Sequence, residues 1–267
     1  MKYAFMSFSC PDASFAEVLA MAKQYGYNGV EPRIGSGHRH GVELDADASQ
    51  RSELRRQADQ SGVAVCCIAT SCRFADPETA PQSVEEMSRA IDLAGDLGAP
   101  AVRVFGGALG GNLRRDQAVD LVAESLLAEA DHAEARAVTL CMETHDQWTD
   151  PSDVAAVMTQ VSHPAVAVNW DIMHPVRFSG WQMDKAFEVL RPWIRHVHFH
   201  DARKADDWKL CPADWGDIDH GAAVRLLASI GYDGYLSGEW IKWEPAEVHL
   251  PRELATMKRL EQAAPEG

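Results

Sequence analysis

The hydrophobic pattern of the chain switches repeatedly between a strand-like and a helix-like period. Short apolar runs alternate with longer segments in which apolar residues recur every three or four positions, as in an amphipathic helix. Eight such strand–helix units follow one another along the sequence. The apolar runs are YAFMSF, GVEPRI, VAVCCIA, AVRVFGG, VTLCMETH, VAVNWD, IRHVHFH and GYLSGEW. This alternation predicts a parallel sheet covered by helices.

The helix-like segments carry start and stop signals. Ser14, Ser83 and Asp150 are predicted N-caps, and Pro151 suits the first position of a helix. Four glycines stand where a helix is expected to end: Gly26, Gly62, Gly98 and Gly231. The predicted helices lie in SFAEVLAMAKQYG, SQRSELRRQADQSG, SVEEMSRAIDLAGDLG, DQAVDLVAESLLAEADHAEARA, PSDVAAVMTQVS, MDKAFEVLRPW, DHGAAVRLLASIGY and PRELATMKRLEQ.

Eight units in 267 residues fit a single (β/α)8 TIM barrel, a fold of about 250 residues. The alternative is an open doubly wound sheet, but no GxGxxG motif follows the first strand, so its usual dinucleotide-binding form lacks support. No linker or low-complexity segment interrupts the pattern. Residues 1–267 are therefore predicted to form one domain, with only the C-terminal segment 263–267 loose.

Charge and composition narrow the classes of protein. The net charge of −15 disfavours nucleic acid as a partner, because phosphates attract basic surfaces. The N-terminus MKYAFMSFSC is too short and polar for a signal peptide, and no apolar run is long enough to span a membrane. The six cysteines form no CxxC pair, so free thiols in a reducing cytoplasm are expected.

Polar residues concentrate where the last four predicted strands end, which is where barrel active sites form. Glu143 and His145 end the fifth strand two positions apart, so both side chains are expected on one face. Successive strands each offer one candidate metal ligand: Glu143, Asp171, His198 and Glu239. Three carboxylates and one imidazole suit Mn²⁺, Mg²⁺ or Co²⁺ better than a structural zinc. Each residue taken alone can instead be a polar group that is hydrogen-bonded at the end of a strand. The three histidines of HVHFH alternate and so share one face, which does not fix which of them is the ligand.

Taken in order, Glu143, DIMH (171–174), HVH (196–198) and GEW (238–240) resemble the sugar phosphate isomerase/epimerase family of the xylose isomerase-like barrel superfamily. The resemblance spans nearly the whole chain. It implies metal ligands at Glu143, Asp171, His198 and Glu239, proton transfer by the two glutamates, and a substrate oxygen held by His174. The epimerases also carry an arginine after the seventh strand. This chain has FHDARK there, with Arg203 close to that place but not clearly equivalent.

The resemblance implies proton abstraction next to the carbonyl of a keto-sugar or related polyol, through an enediolate stabilised by one divalent metal ion per chain. Mn is the leading choice, with Mg, Co or Zn as alternatives. Epimerisation, isomerisation and elimination share such a metal site, so its ligands do not select among them. In related dehydratases and 3-oxo-glycoside-cleaving barrels a histidine near the metal serves as base. Here His145 is the candidate base for a lyase reaction.

Further groups are candidates for substrate contact. Arg103 is expected to bind a substrate oxygen or to pair with a carboxylate of the site, and His200 lies near the rim. Tryptophans in or near the loops after the fifth, seventh and eighth strands have apolar faces that suit sugar rings, although packing is as reasonable: Trp148, Trp208, Trp215 and Trp240. Of these, Trp240 is the predicted substrate contact. His38 and His40 either reach the barrel mouth or lie in a solvated loop.

Two other classes of protein share the barrel. Endonucleases that cut DNA at abasic sites bind three zinc ions with further histidines on early strands. The third and fourth strands here end in CIATSC and RVFGG, without histidine. A non-catalytic or partner-dependent barrel subunit is the third class, and the ligand set argues against it. A homo-oligomer is expected by analogy with the family alone.

Overall fold

Eleven strands form two sheets in residues 1–264, the part of the chain that the computed structural model describes. They are β1 (Lys2–Met6), β2 (Gly29–Glu31), β3 (Ala64–Val65), β4 (Ile68–Arg73), β5 (Ala101–Phe105), β6 (Thr139–Glu143), β7 (Val166–Asp171), β8 (Ile194–Phe199), β9 (Asp201–Arg203), β10 (Lys209–Cys211) and β11 (Tyr235–Gly238). The larger sheet has the order β3-β2-β1-β11-β8-β7-β6-β5-β4, and its paired strands are parallel.

The larger sheet closes on itself. A parallel bridge joins Arg33 to Ala69, with Ile34 N–H donating to the Ala69 carbonyl at 3.0 Å. Strands β3 and β4 are two parts of one barrel strand, interrupted at residues 66–67. Counting them together gives the eight strands of the predicted barrel, so the fold prediction is confirmed.

Ten helices connect and cover the strands of the described residues. They are α1 (Phe15–Tyr25), α2 (Ala48–Ser61), α3 (Ala80–Leu97), α4 (Arg115–Leu127), α5 (Ala130–Ala135), α6 (Pro151–Val161), α7 (His174–Ser179), α8 (Met183–Leu190), α9 (His220–Ser229) and α10 (Ala246–Ala263). Of the segment 263–267 that was expected to be loose, residue 263 ends α10, and residues 265–267 lie outside the described residues.

Most helix boundaries follow the predicted signals. Ser14 caps α1 in a reciprocal pair with Glu17, and Asp150 caps α6 ahead of Pro151. The four predicted stop glycines all have a left-handed backbone at or just beyond a helix end. The Ser83 prediction is wrong: α3 begins earlier, at Ala80, because Pro81 suits its first turn. The Ser83 hydroxyl instead accepts a hydrogen bond from Arg73 N–H at 3.2 Å.

Three elements differ from the expected pattern. The long helix predicted over 116–137 is divided into α4 and α5 around Ala128. Helix α10 begins at Ala246, and Pro251 lies inside it. The residues just before that proline, His249 and Leu250, are buried, and their packing stabilises the helix by more than the proline costs through its missing backbone hydrogen bond. The short helix α7 and the antiparallel pair β9–β10 have no counterpart in the prediction.

The barrel interior changes character along its axis. Cys141, Ala101 and Ala167 belong to a buried cluster of small residues. Each stands two positions before a polar residue of the same strand and the same face. These polar residues are Glu143, Arg103 and Asn169, all fully or almost fully buried. Small side chains thus fill the layer below, and polar side chains are gathered at the carboxyl ends of the strands.

The six cysteines are free thiols, as predicted. Four of them are buried, and burial raises the pKa of each buried thiol: Cys66, Cys67, Cys72 and Cys141. Within residues 1–264, none of the helices combines the length and the apolar character that crossing a membrane requires.

Candidate metal-dependent active site

The four predicted metal ligands meet at the carboxyl end of the barrel. Glu143 ends β6, Asp171 ends β7, His198 lies on β8, and Glu239 follows β11 directly. One ligand atom from each residue lies within 4.8 Å of the others. Three of the side chains are completely buried, and Glu239 is 6% exposed. The structure therefore brings the predicted set together, and its role in metal binding stays a prediction.

The two nitrogens of His198 have different surroundings. Nε2 lies 3.1 Å from Oε1 of Glu31, a buried carboxylate at the end of β2. Nδ1 lies 3.1 Å from Glu143 Oε1 and 3.6 Å from Glu239 Oε2. A proton on Nε2, donated to Glu31, leaves the Nδ1 lone pair directed toward the two glutamates. This is the tautomer that metal-binding histidines adopt when a carboxylate holds their other nitrogen.

Three carboxylate oxygens of the cluster accept no well-aligned hydrogen bond among the described residues, although Arg103 and His200 lie within 3.1 Å of two of them. They are Glu143 Oε2, Asp171 Oδ2 and Glu239 Oε2, and all three atoms are buried. Buried charged oxygens without partners are costly. A divalent cation would satisfy them, and it would offset the mutual repulsion of three carboxylates. The residues present therefore fit a metal ion.

The electrostatics of the cluster also favour an added positive charge. Burial opposes the charged form of His198, but the charges of Glu31 and Glu143 outweigh it and raise its pKa. Burial likewise opposes ionisation of Glu239, yet its contact with His198 lowers the pKa of that carboxyl to about 2. For Asp171, the charges of His174 and His200 outweigh burial and lower the pKa. Asp171 and Glu239 are thus ionised at neutral pH and available to a cation.

His145 lies beside the cluster, as predicted. One of its ring nitrogens falls within 4.8 Å of ligand atoms of Glu143 and His174. Its Nδ1 contacts Asp146 Oδ1 at 2.8 Å, and its ring packs edge-on against His174 at 4.5 Å. Burial disfavours the imidazolium, but the bond to Asp146 and the charges of Glu143 and Glu239 raise the pKa of His145 to about 9. Its side chain is 30% exposed, so it can reach a bound molecule.

His174 and His200 both flank Asp171. His200 Nε2 lies 2.9 Å from Asp171 Oδ2, and His174 Nδ1 lies 3.8 Å from Asp171 Oδ1. The same Oδ1 accepts hydrogen bonds from the backbone N–H groups of Met173 and His174 at the start of α7. Both histidines are buried and close to the cluster. His200 is thus held against Asp171, and its predicted contact with substrate stays a prediction.

Arg103 takes the second of its two predicted positions. Its Nε lies 3.1 Å from Glu143 Oε2, and Nη1 donates to the Thr70 carbonyl at 2.9 Å. The guanidinium stacks over the Phe105 ring at 4.0 Å, and the residue is 1% exposed. The structure therefore shows an ion pair with a site carboxylate.

Arg203 and Trp240, two other predicted substrate contacts, are held by partners outside the four-residue cluster. Arg203 is 44% exposed on β9, donates to the Trp215 carbonyl and lies 3.5 Å from Asp206. Trp240 is buried, and its ring packs at 5.4 Å on Phe199. The β9–β10 hairpin holds Arg203 at the surface. Trp240 covers Gly238 so closely that a Cβ added to Gly238 would collide with the Trp240 ring.

Trp148 takes the packing alternative, and His40 is buried. Trp148 is fully buried, donates from Nε1 to the Gly107 carbonyl at 2.9 Å and lies under Arg115, so its ring serves packing. His40 is 3% exposed and not solvated. His38 is half-buried and contacts Ser7 Oγ at 2.9 Å.

Sequence reasoning missed Glu31 and His196 as members of the site. His196 Nε2 lies 2.9 Å from Glu31 Oε2, and both residues are buried. With His198 they form a second group whose ligand atoms lie within 4.8 Å. The sequence does contain a signal for both residues: Glu31 ends a buried strand, and His196 and His198 are alternate residues of one strand, so their side chains share a face. Their pairing across the barrel needed the structure.

Two cavities open near the carboxyl ends of the strands. One of about 610 Å³ lies between the loop 34–45, the end of β4 and α3. The other, of about 570 Å³, lies between the loops after β1, β2 and β11. His38 and Gly37 border both, so the loop after β2 separates them. Trp240, directly after Glu239, borders the second.

This fold is shared with known proteins. The chain belongs to the xylose isomerase-like TIM barrel family, whose family model matches residues 19–260. A 3-dehydroshikimate dehydratase of Bacillus anthracis is 25% identical over 215 residues, 77% of this chain and 74% of that protein. A proposed L-ribulose-5-phosphate 3-epimerase, SgbU, of Escherichia coli K12 is 29% identical over 243 residues, 84% of this chain and 82% of that protein.

A solved structure adds information on the fold. A xylose isomerase-like TIM barrel protein from Mycobacterium smegmatis, in complex with magnesium, superposes with a TM-score of 0.74 at 18% identity. The match covers 99% of this chain and 98% of that chain. The predicted family is therefore confirmed.

Proposed function

We propose that the protein is a divalent-metal-dependent isomerase or epimerase that moves a proton at the carbon next to the carbonyl of a keto-sugar or related polyol. The observation that carries this proposal is the buried cluster of Glu143, Asp171, His198 and Glu239, in which three carboxylate oxygens accept no well-aligned hydrogen bond. The relatives support an enzyme, since one is named a sugar-phosphate epimerase and the other a dehydratase. The magnesium complex of a structural neighbour supports a divalent metal.

Within this proposal each residue has a defined task. A bound divalent cation would polarise the substrate carbonyl and stabilise the charge that develops on its oxygen. Glu143 and Glu239 lie on either side of His198 Nδ1, at 3.1 and 3.6 Å, and transfer the proton to and from the substrate carbon. Arg103 holds Glu143 in place, and His174 donates to a substrate oxygen. The oxygen-rich donor set favours Mn²⁺, while Mg²⁺, Co²⁺ and Zn²⁺ remain alternatives.

The test is solvent exchange. Protein loaded with Mn²⁺ is incubated in D₂O with a panel of keto-sugars and keto-polyols, and deuterium at the carbon next to the carbonyl is followed by NMR. The proposal expects incorporation for at least one compound, abolished in Glu143→Gln and retained in Glu247→Gln, an exposed glutamate of α10. No incorporation with any compound, in protein shown to hold its metal, would sink it.

A lyase is the second candidate, and the position of His145 favours it. An elimination needs a base for the proton and a donor for the departing hydroxyl. A pKa raised to about 9 leaves His145 protonated, which suits the donor role. A cation bound by Glu143 and Glu239 would offset the charges of these two glutamates, which contribute to the raised pKa of His145. With the cation bound, the neutral imidazole is therefore favoured, and His145 can act as the base. Loss of water from the compound that exchanges deuterium would identify the lyase, and an epimer would identify the epimerase.

Three further expectations are proposals as well. The chain is expected to form a homo-oligomer, to work in the cytoplasm and to bind neither nucleic acid nor membrane. Gel filtration with light scattering tests the first of these directly.

A further inference from the structure

Arg33 is a buried cation that no carboxylate neutralises. It follows β2, is 8% exposed, and forms no ion pair with any carboxylate of residues 1–264. Its Nη1 donates to the carbonyls of Ile34 and Ala69, and its Nη2 donates to the Ser71 hydroxyl. These partners are neutral dipoles. Nε donates to none of the described groups, so part of the guanidinium fork has no partner.

Arg33 differs from Arg103, the other buried arginine, in having no carboxylate partner among the described residues. Both arginines are buried at the same end of the barrel, but Arg103 pairs with Glu143 at 3.1 Å. Burial, and then the charge of Arg103, lower the pKa of Arg33 to about 10. Arg33 therefore stays charged at neutral pH while it is partly desolvated. A buried charge without a partner is costly, and such residues are retained where a ligand supplies the partner.

Arg33 points into the barrel mouth. Glu31, two residues earlier, has its carboxylate against His196 and His198 inside the barrel. Residues i and i+2 share a face, so Arg33 lies on the same face, one layer nearer the mouth. The charge of Glu239 acts on its guanidinium. Ile34 and Ser71, its hydrogen-bond partners, border the cavity of about 610 Å³. Arg33 thus lies beside residues that border this cavity, and the charge of Glu239, one of the four clustered residues, reaches it.

The backbone of Arg33 is held in place before any ligand binds. Its N–H donates to Ser7 Oγ at 2.8 Å, and its carbonyl lies 3.2 Å from His40 Nε2. The bridge to Ala69 fixes the same residue in the barrel wall. A positioned guanidinium offers two parallel N–H donors that match a carboxylate or a phosphate. Because the fork is already positioned, little entropy is lost when an anion binds.

We propose that Arg33 is the substrate-anion contact of this enzyme, so that its substrate is a keto-sugar or keto-polyol carrying a carboxylate or phosphate group. This proposal rests on the proposed function and names its substrate class. The cavity is lined by the carboxylates Glu43, Asp45 and Glu86 and by one further arginine, Arg89. The carboxylates repel an anion, so only the two arginines attract it. Of these two, Arg33 lies on the barrel face that carries Glu31, nearer the metal cluster.

The experiment measures affinity in matched pairs by isothermal titration of the Mn²⁺-loaded full chain. Ribulose 5-phosphate is compared with ribulose, and 3-dehydroquinate with its methyl ester, so that each pair differs by its anionic group. Wild type is expected to bind the anionic member of at least one pair at least about tenfold more tightly. Preference in the first pair identifies a phosphate, and preference in the second identifies a carboxylate.

Three variants decide the role of Arg33. Arg33→Met is expected to bring the affinity ratio close to one without changing the affinity for the neutral member. Arg33→Lys keeps the charge but not the fork and should retain part of the preference. Arg56→Met removes an exposed arginine of α2 and should keep the wild-type ratio. A structural role alone would change thermal stability and leave the ratio unchanged.

Two results would overturn the proposal. One is a wild type that binds the anionic and neutral members equally, or binds neither. The other is an unchanged ratio in folded Arg33→Met or, if that variant does not fold, in Arg33→Lys. The test needs no turnover, so its failure is separate from that of the proposed function, which rests on deuterium exchange.

Discussion

Glu31 of β2 and His198 of β8, whose strands are separated by β1 and β11 and which lie 167 positions apart in sequence, are joined by a hydrogen bond of 3.1 Å. The carboxylate of β2 thereby fixes the ring of a predicted metal ligand on β8. It also determines which nitrogen carries the proton and which faces the other ligands. The site is thus built from both halves of the barrel, although its four predicted ligands all come from one half.

The first prediction concerns this contact. Glu31→Gln removes the charge that holds His198 Nε2–H, so Mn²⁺ affinity should fall by about 10–100-fold. Competition with a fluorescent chelator measures the change. Glu253→Gln is the matched control, because Glu253 is also fully buried but pairs with Arg252, away from the cluster. Equal Mn²⁺ affinity in Glu31→Gln and wild type would show that the contact does not orient the ligand.

His145→Ala separates metal binding from proton transfer. His145 lies beside Glu143 and His174 but outside the predicted ligand set, so the variant should keep its metal. Its kcat for the compound found in the exchange screen should fall by about 10²–10⁴-fold, the usual contribution of an acid or base. His132→Ala, at a surface histidine bound to Glu129, should behave like wild type. Loss of metal in His145→Ala, or an unchanged kcat, contradicts the assigned role.

A pH dependence of stability follows from His40. Its Nδ1 accepts from Val42 N–H at 3.0 Å, and Nε2 lies 3.2 Å from the Arg33 carbonyl, which fixes the neutral ring. Burial lowers its pKa from 6.5 to about 4. Between these values the unfolded chain binds a proton that the folded chain does not. The free energy of unfolding should therefore decrease as pH falls from 6.5 toward 4.

Urea unfolding of wild type and His40→Gln, measured between pH 7 and pH 4.5, checks this. The wild-type free energy of unfolding should fall more steeply, by up to about 1.4 kcal/mol per pH unit. His132→Gln is the control. Bonds to Glu129 and Asp92 raise the pKa of this partly buried histidine, so its replacement should not reduce the loss of stability at low pH. Parallel curves for wild type and His40→Gln would show that His40 titrates normally in the folded chain.

The barrel and the meeting of its four ligands could be predicted because both depend on local periodicity. Strand ends are visible as the last residues of apolar runs, and parallel strands bring these ends together. Glu143, Asp171 and Glu239 were located by that rule alone, and the order of the motifs selected His198. Helix caps at Ser14 and Asp150 are equally local, since each cap bonds within its own first turn.

The remaining features depend on contacts that periodicity does not contain. The Glu31–His198 bond and the burial of Trp148 are set by which side chains face each other across the fold. The division between α4 and α5 occurs without a glycine or proline, so no stop signal marks it. The surface position of Arg203 depends on the β9–β10 hairpin, which holds its guanidinium against the Trp215 carbonyl.

The metal content of the purified protein tests the central claim most directly. Elemental analysis of wild type should find about one Mn, Mg, Co or Zn per chain after reconstitution. Glu239→Ala, which removes one of the four clustered ligand atoms, should lose most of it, and Glu247→Ala, at an exposed position, should keep it. No bound metal in wild type after incubation with Mn²⁺, or equal metal in Glu239→Ala, would contradict the account.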